Sequence, residues 1–327
     1  MFSPLRFTLT ALCLAASGPA FAAAESASPV AALAAQEARV AAIGFRLTTA
    51  NAAWCPVQQP QFGWIWGDPR LYPAAGRNAL HTVYGVGELD APYVAAIAPR
   101  SPAAMAGIRI GASVTRINDS AIAAGEGDDP FARITAIEML FAALPTAPAR
   151  IEGDGRHWTV TPVAGCASDF RVEDRRREGA VADGRAVYVD AGLADFATDD
   201  EELAAAIAHE LAHNILRHRA RLDAAGVDRG PGKQFGRSAR LFRQTEIEAD
   251  RLSIWLLANA GYDPHAAVRF WTRFGQRKGK PWFQPGTHPR WKDRVASFEA
   301  EIRAIDAARA AGRPLEPPLI ADPPPLE

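Results

Sequence analysis

His209-Glu210-Leu211-Ala212-His213 constrains this chain more than any other stretch. Two histidines four residues apart serve one centre only on a helix, which puts i and i+4 on one face, about 6 Å apart along the axis. The residues upstream predict that helix. Thr198-Asp199-Asp200-Glu201 reads as a capping box, with the Thr hydroxyl and the Glu carboxylate taking up orphan N–H groups. The helix it opens runs to about Arg219, after a short strand over Ala186 to Asp190. Two imidazoles so placed reach one Zn²⁺ at about 2.0–2.1 Å. Glu210 lies one step round the helix, close enough to take a proton from water on the metal without being a ligand.

A catalytic zinc keeps three protein ligands and one open position, so a third ligand must come from elsewhere. Glu246-Ile247-Glu248-Ala249-Asp250 supplies it 33 residues after His213, on a second long helix from about Arg240 to Ala260 that stops at Gly261. Glu246 and Asp250 share a helix face. Glu246 as ligand leaves Asp250 to hydrogen-bond a zinc histidine, His209 first, and fix its tautomer. Glu248 is the runner-up ligand. A solvated acidic patch fits poorly beside Ile254, Trp255, Leu256 and Leu257. His218 reads as a helix-end residue near the C-terminal dipole.

These two segments, then Gly261-Tyr262-Asp263-Pro264, then Thr287-His288-Pro289 with Arg294, together resemble peptidase family M48, over about Arg171 to Ala300. The resemblance implies an α+β fold: a mostly helical zincin (gluzincin-like) metallopeptidase domain with one Zn²⁺. It also implies that the segment from Ala180 to Phe196 aligns substrate by strand addition. In the family the His-Pro segment lies by the metal. His288 there either donates to the oxyanion, with Arg294 holding the loop or the substrate, or occupies the open zinc position as a latch. Departures exist. Some members carry membrane spans and none is visible here, the linker between the zinc helices is short, and Gly179-Ala180 replaces the usual Asn-Ala.

Residues 80–163 have a different texture, with short strand candidates at Tyr93 to Ile97, Ser113 to Ile117 and His157 to Val163 and helical spacing from Ile134 to Leu144. Ala98-Pro99-Arg100-Ser101-Pro102-Ala103-Ala104-Met105-Ala106-Gly107-Ile108, followed by Gly111, Ile117 and Asn118, resembles the core of PDZ domains. That implies an inserted small β-rich domain. Tyr84-Gly85-Val86-Gly87 is a weak candidate for a carboxylate-binding loop. Before it, Pro29 to Ala53 reads as a helix. The aromatic stretch Phe62, Trp64, Trp66, Pro69, Tyr72 is irregular but packed, and residues 23–79 are expected to lie on the catalytic domain of residues 164–310. The Pro-rich tail, 311–327, reads as disordered.

Arg6 before the apolar run from Phe7 to Ala24, with Ala20-Phe21-Ala22 as cleavage site, predicts a signal peptide over residues 1–22. Leu12 is too large to make Cys13 a good lipidation site. Export leaves Cys55 and Cys166, an even pair expected to be bridged in an oxidising compartment and to bracket the insert. A formal net charge of −1 offers no field to recruit nucleic acid. The expected partners are proteins or peptides as substrates, misfolded envelope proteins among them, with no transmembrane span after cleavage. Two functions compete: an extracytoplasmic, periplasmic-type zinc endopeptidase whose PDZ-like domain recruits or gates substrate, and a PDZ-based binding or chaperone-like protein with a latched zinc site. The intact ligand set and Glu210 favour the first.

Overall fold

The structure is a computed structural model, and it describes residues 28–87, 90–118, 120–122, 129–227, 230, 235–278, 287–322 and 324–326. The signal-peptide segment 1–22, with Cys13, lies outside the described residues.

The chain opens on α1 (Pro29–Ala50), where the Ser28 hydroxyl accepts from the Ala31 N–H and Pro29 occupies the first turn. Strands β1 (Gln58–Gln61) and β2 (Trp64–Gly67) follow, then α2 (Asn78–Val83) and β3 (Tyr93–Ile97). Next come α3 (Pro102–Met105), β4 (Arg116–Ile117), β5 (Ser120–Ala121) and α4 (Pro130–Ala142). Strands β6 (Ala149–Gly153), β7 (Arg156–Val160), β8 (Val163–Cys166), β9 (Asp169–Glu173), β10 (Ala180–Ala182) and β11 (Ala186–Asp190) lead into the helical part. That part comprises α5 (Ala191–Phe196), α6 (Asp200–Ile215), α7 (His218–Ala224), α8 (Gly236–Asn259), α9 (His265–Lys278), α10 (Trp291–Ala310) and α11 (Pro318–Ala321).

Two apolar clusters divide the molecule. The larger surrounds α6, whose Leu203, Ala204, Ile207, Ala208, Leu211 and Ala212 are all buried against α1, α8 and α9. So many alanines let neighbouring helices approach closely on every side. The second cluster gathers Phe62, Trp66, Val94, Ile117, Ile134, Ile137, Phe141, Ile151, Trp158 and Val160 around the antiparallel sheet β5-β4-β6-β7. The aromatic stretch packs mainly into this second core, because strand alternation sends Trp64 and Trp66 to it and only Ile65 to the first. Phe62, Trp64 and Trp66 all stack on or edge into Phe141.

Where the two cores meet, β1 pairs antiparallel with β8, and Cys55 and Cys166 form a disulfide with Cα atoms 5.3 Å apart. A buried ionic seam joins them as well. Arg171 of β9 donates to Glu138 of α4, and Arg185 lies 2.9 Å from Glu138 and 2.6 Å from Asp169.

Several sequence expectations shift in detail. The N-cap of α6 is Asp199, whose carboxylate accepts from the Glu202 N–H, while Glu202 accepts from the Thr198 N–H. The box is real but one residue later, because Asp competes well with Thr for that position. Helix α6 ends at Ile215, and residues 218–224, expected to be helix end and loop, form α7. The closing strand of the insert stops at Val160. In the Pro-rich tail, expected to be disordered, residues 318–321 form α11, and its Leu319 is buried in the main core.

Candidate active site

Four helices and one strand build the site. Helix α6 carries His209, Glu210 and His213, α8 carries Glu246, Glu248 and Asp250, α9 brings Trp271, and α10 brings Arg294 just after His288. They enclose a cleft of about 430 Å³ that Gly179 to Ala182 also lines. Strand β10 is the edge of the mixed sheet β10-β11-β9. Its turn is held to α6 by Asn214, whose side-chain oxygen accepts from the Gly184 N–H while its amide donates to Ser168 Oγ. Gly184 sits at φ +94°, a conformation other residues rarely adopt.

At the centre, the structure brings together the three residues expected to hold a metal. His209 Nε2 and His213 Nε2 lie 3.3 Å apart, and Glu246 places its oxygens 3.4 Å from the first and 3.5 Å from the second. Zinc–ligand bonds of about 2.0–2.1 Å at tetrahedral angles separate neighbouring donors by about 3.3–3.4 Å. The His–His spacing matches that edge, Glu246 faces the two rings with a different oxygen each (Oε2 to His209, Oε1 to His213), and one donor atom from each residue lies within 4.8 Å of the others. An N₂O donor set suits zinc. No other grouping of three or more His, Cys, Asp or Glu donors occurs among the described residues.

Behind the donors, His209 Nδ1 lies 2.9 Å from Asp250 Oδ1. Arg294 Nε donates to Asp250 Oδ2 at 2.8 Å, and its second nitrogen pairs with Oδ1. Arg294, expected to hold the loop or the substrate, lines the cleft and is bound to Asp250. It is only 5% exposed, committed to Asp250, with its guanidinium 3.4 Å over the Trp271 ring. Glu248 points away from the donor cluster and pairs with His218 and Arg221. His288 stands at the mouth, its side chain 52% exposed, with Nε2 3.6 Å from Glu246 Oε2 and Nδ1 2.9 Å from Thr287 Oγ1.

Electrostatics favour a cation here. Burial opposes charge on His209, but the Asp250 and Glu246 carboxylates outweigh it and lift the imidazole to about 10. Burial opposes charge on Glu246 too, yet the His213 and His209 rings hold its carboxyl well below the usual range. Burial pushes His213 far down, so it stays neutral and able to donate a lone pair. Glu210 is raised to about 7, chiefly by burial, with His209 opposing and Glu246 adding to the rise. A dication at the donor cluster would supply the positive charge that a proton on His209 otherwise provides.

Two site residues escaped sequence reasoning. Trp271 forms a wall, its ring 5.7 Å from that of His209. In the sequence it is one aromatic among Phe270, Trp271 and Phe274, with no mark of its own. His218 was placed at a helix end, whereas it starts α7 and lies buried 2.9 Å from His213.

Comparison with known proteins agrees with this geometry. The description Peptidase family M48 matches residues 178–229 and 233–302. The chain is 30% identical to the mitochondrial metalloendopeptidase OMA1 of Schizosaccharomyces pombe, over 39% of this chain and 44% of that protein. It is 28% identical to a Vibrio cholerae protein named "Putative beta-barrel assembly-enhancing protease", over 43% of this chain and 36% of that protein. The chain thus spans less than half the length of either relative. From the family match, together with the donor cluster at its centre, the region between residues 178 and 302 is a peptidase family M48 domain.

Proposed function

We propose that the chain is an extracytoplasmic zinc endopeptidase acting on proteins or peptides. One observation carries the reading: His209, His213 and Glu246 converge with one donor atom each within 4.8 Å of the others, the two imidazole Nε2 atoms 3.3 Å apart, with Glu210 on the same helix as the histidines. These three residues would hold the metal. Bound there, zinc supplies Lewis-acid polarisation of the scissile carbonyl and acidifies a water.

The chain's own groups do the rest. Glu210 accepts a proton from the attacking water and hands it to the leaving amine. Ala180 to Ala182, as an edge strand along the cleft, offers backbone groups to an extended substrate. His288 donates a hydrogen bond to the developing oxyanion. Asp250, braced by Arg294, orients His209.

The segment with its own core is read as the PDZ-like domain that recruits or gates substrate. Supporting this, Ser101 caps the short helix Pro102–Met105 ahead of a Gly107 turn, the order of the PDZ-like signature. The loop proposed to take a carboxylate is only partly free for that role, since Tyr84 and Val86 are buried. The disulfide supports an oxidising compartment, and no helix among the described residues is long and apolar enough to cross a membrane. The relative named a putative β-barrel assembly-enhancing protease supports proteins of β-barrel assembly among the substrates.

Metal analysis with casein cleavage by wild type and Glu210→Gln tests the reading. The expected result is about one zinc per chain in both and chelator-sensitive cleavage in the wild type alone. Full cleavage by the Gln variant would overturn it.

A further inference from the structure

Both histidines of the donor cluster aim Nε2 at its centre, so what holds each Nδ1 decides how firmly the ring stays in place. For His209 that partner is Asp250. For His213 it is a second imidazole: His218 Nδ1 lies 2.9 Å from His213 Nδ1. On an unbroken helix, residues five apart would point about 140° away from each other. Here α6 stops, Arg217 takes the left-handed conformation at φ +54°, and the chain folds back so that His218 faces His213.

Proton bookkeeping then leaves one arrangement. With Nε2 of His213 presenting a lone pair to the centre, its Nδ1 carries the hydrogen and donates it. His218 Nδ1 must therefore accept, which puts the His218 proton on Nε2. That nitrogen lies 3.0 Å from Glu248 Oε2, an acceptor. Glu248 in turn accepts from Arg221 at 2.6 Å and from Gln244 at 2.9 Å. Every hydrogen in the chain from Arg221 to His213 has one donor and one acceptor.

We infer that His218 is a positioning residue of the metal centre, which holds His213 with its proton on Nδ1 and is itself oriented by Glu248, Arg221 and Gln244. The inference rests on His213 being a metal ligand. Glu248, which sequence reasoning kept as a runner-up ligand, becomes the outer support of that ring.

Zinc affinity, measured by chelator competition on the full chain, is the test. His218→Leu removes donor and acceptor, and zinc binding should weaken about 10–100-fold while saturating metal still gives one zinc per chain. His218→Gln, whose amide offers one acceptor and one donor, should recover most of the loss. His213→Ala should lose the bound zinc altogether. If His213→Ala binds zinc like wild type, the ligand reading itself fails. If His213→Ala loses zinc while His218→Leu binds at wild-type affinity, the positioning role alone fails. Should His218→Leu not fold, long-range ¹⁵N–¹H spectra of the zinc-loaded wild type decide. They should show His218 protonated on Nε2, and protonation on Nδ1 overturns the inference.

Discussion

Arg294 braces the carboxylate that holds His209: its Nε donates to Asp250 Oδ2 at 2.8 Å while Asp250 Oδ1 lies 2.9 Å from His209 Nδ1. All three side chains are buried, so each charge depends on its partner. Asp250→Ala should weaken zinc binding about 10–100-fold. It should also destabilise the fold by about 3–5 kcal/mol, because Arg294 is left as an unpaired buried cation. Chelator competition and urea unfolding read the two effects separately. Unchanged zinc affinity in a folded Asp250→Ala protein would remove Asp250 from the metal site.

His288 carries a prediction whose sign separates two roles. An oxyanion donor is worth roughly 10²–10³ in kcat, so His288→Ala should keep its zinc and lose most of its turnover. Its exposed ring is not needed for folding. A rise in cleavage of an unstructured substrate would instead identify a latch at the open metal position.

Reduction of Cys55–Cys166 should cost stability without moving the site. The bridge closes a loop over a sequence separation of 111. Chain-entropy estimates value such a loop at about 4–5 kcal/mol. Unfolding midpoints with and without reductant measure this, and intact mass before and after alkylation verifies the bridge.

Glu37 should make stability fall as pH rises. It is buried on α1, where burial raises its carboxyl to about 8 against an opposing hydrogen bond from the Tyr84 hydroxyl at 2.8 Å. The unfolded chain releases that proton near pH 4.5, so between about 4.5 and 8 the folded state binds more protons than the unfolded one. Stability therefore declines across that window, by up to about 1.4 kcal/mol per pH unit from this group, and levels off above it. Urea titrations at pH 5 and pH 8 should show a smaller drop in Glu37→Gln than in wild type. Equal drops would mean that Glu37 is ionised in the folded protein.

The insert should fold alone only with its aromatic entry segment. Residues 80–163 omit Phe62, Trp64 and Trp66, which pack on Phe141. That fragment should unfold without a cooperative transition, whereas residues 57–166 should show one by tryptophan fluorescence. Cooperative unfolding of the shorter fragment would make the three aromatics dispensable.

Helical periodicity was enough to set His209 with His213, and Glu246 with Asp250, on shared helix faces; the packing of α8 on α6 is what brings the two pairs together. The Cys55–Cys166 pair and the capped start of α6 were legible for similarly local reasons: residue type and count in one case, side-chain hydrogen bonding to nearby N–H groups in the other. What local sequence could not carry were relationships made by changes of direction. The left-handed Arg217 turns His218 back onto His213, strand alternation gives Trp64 and Trp66 to the second core, and α10 packs on α8 so that Arg294 meets Asp250. None of these follows from periodicity, since each depends on where one element leaves off and which surface of another it then meets. Sequence by itself determined which chemistry the chain could assemble; tertiary packing decided which side chains support it, because a buried charge or ring nitrogen takes its role from the partner that packing provides.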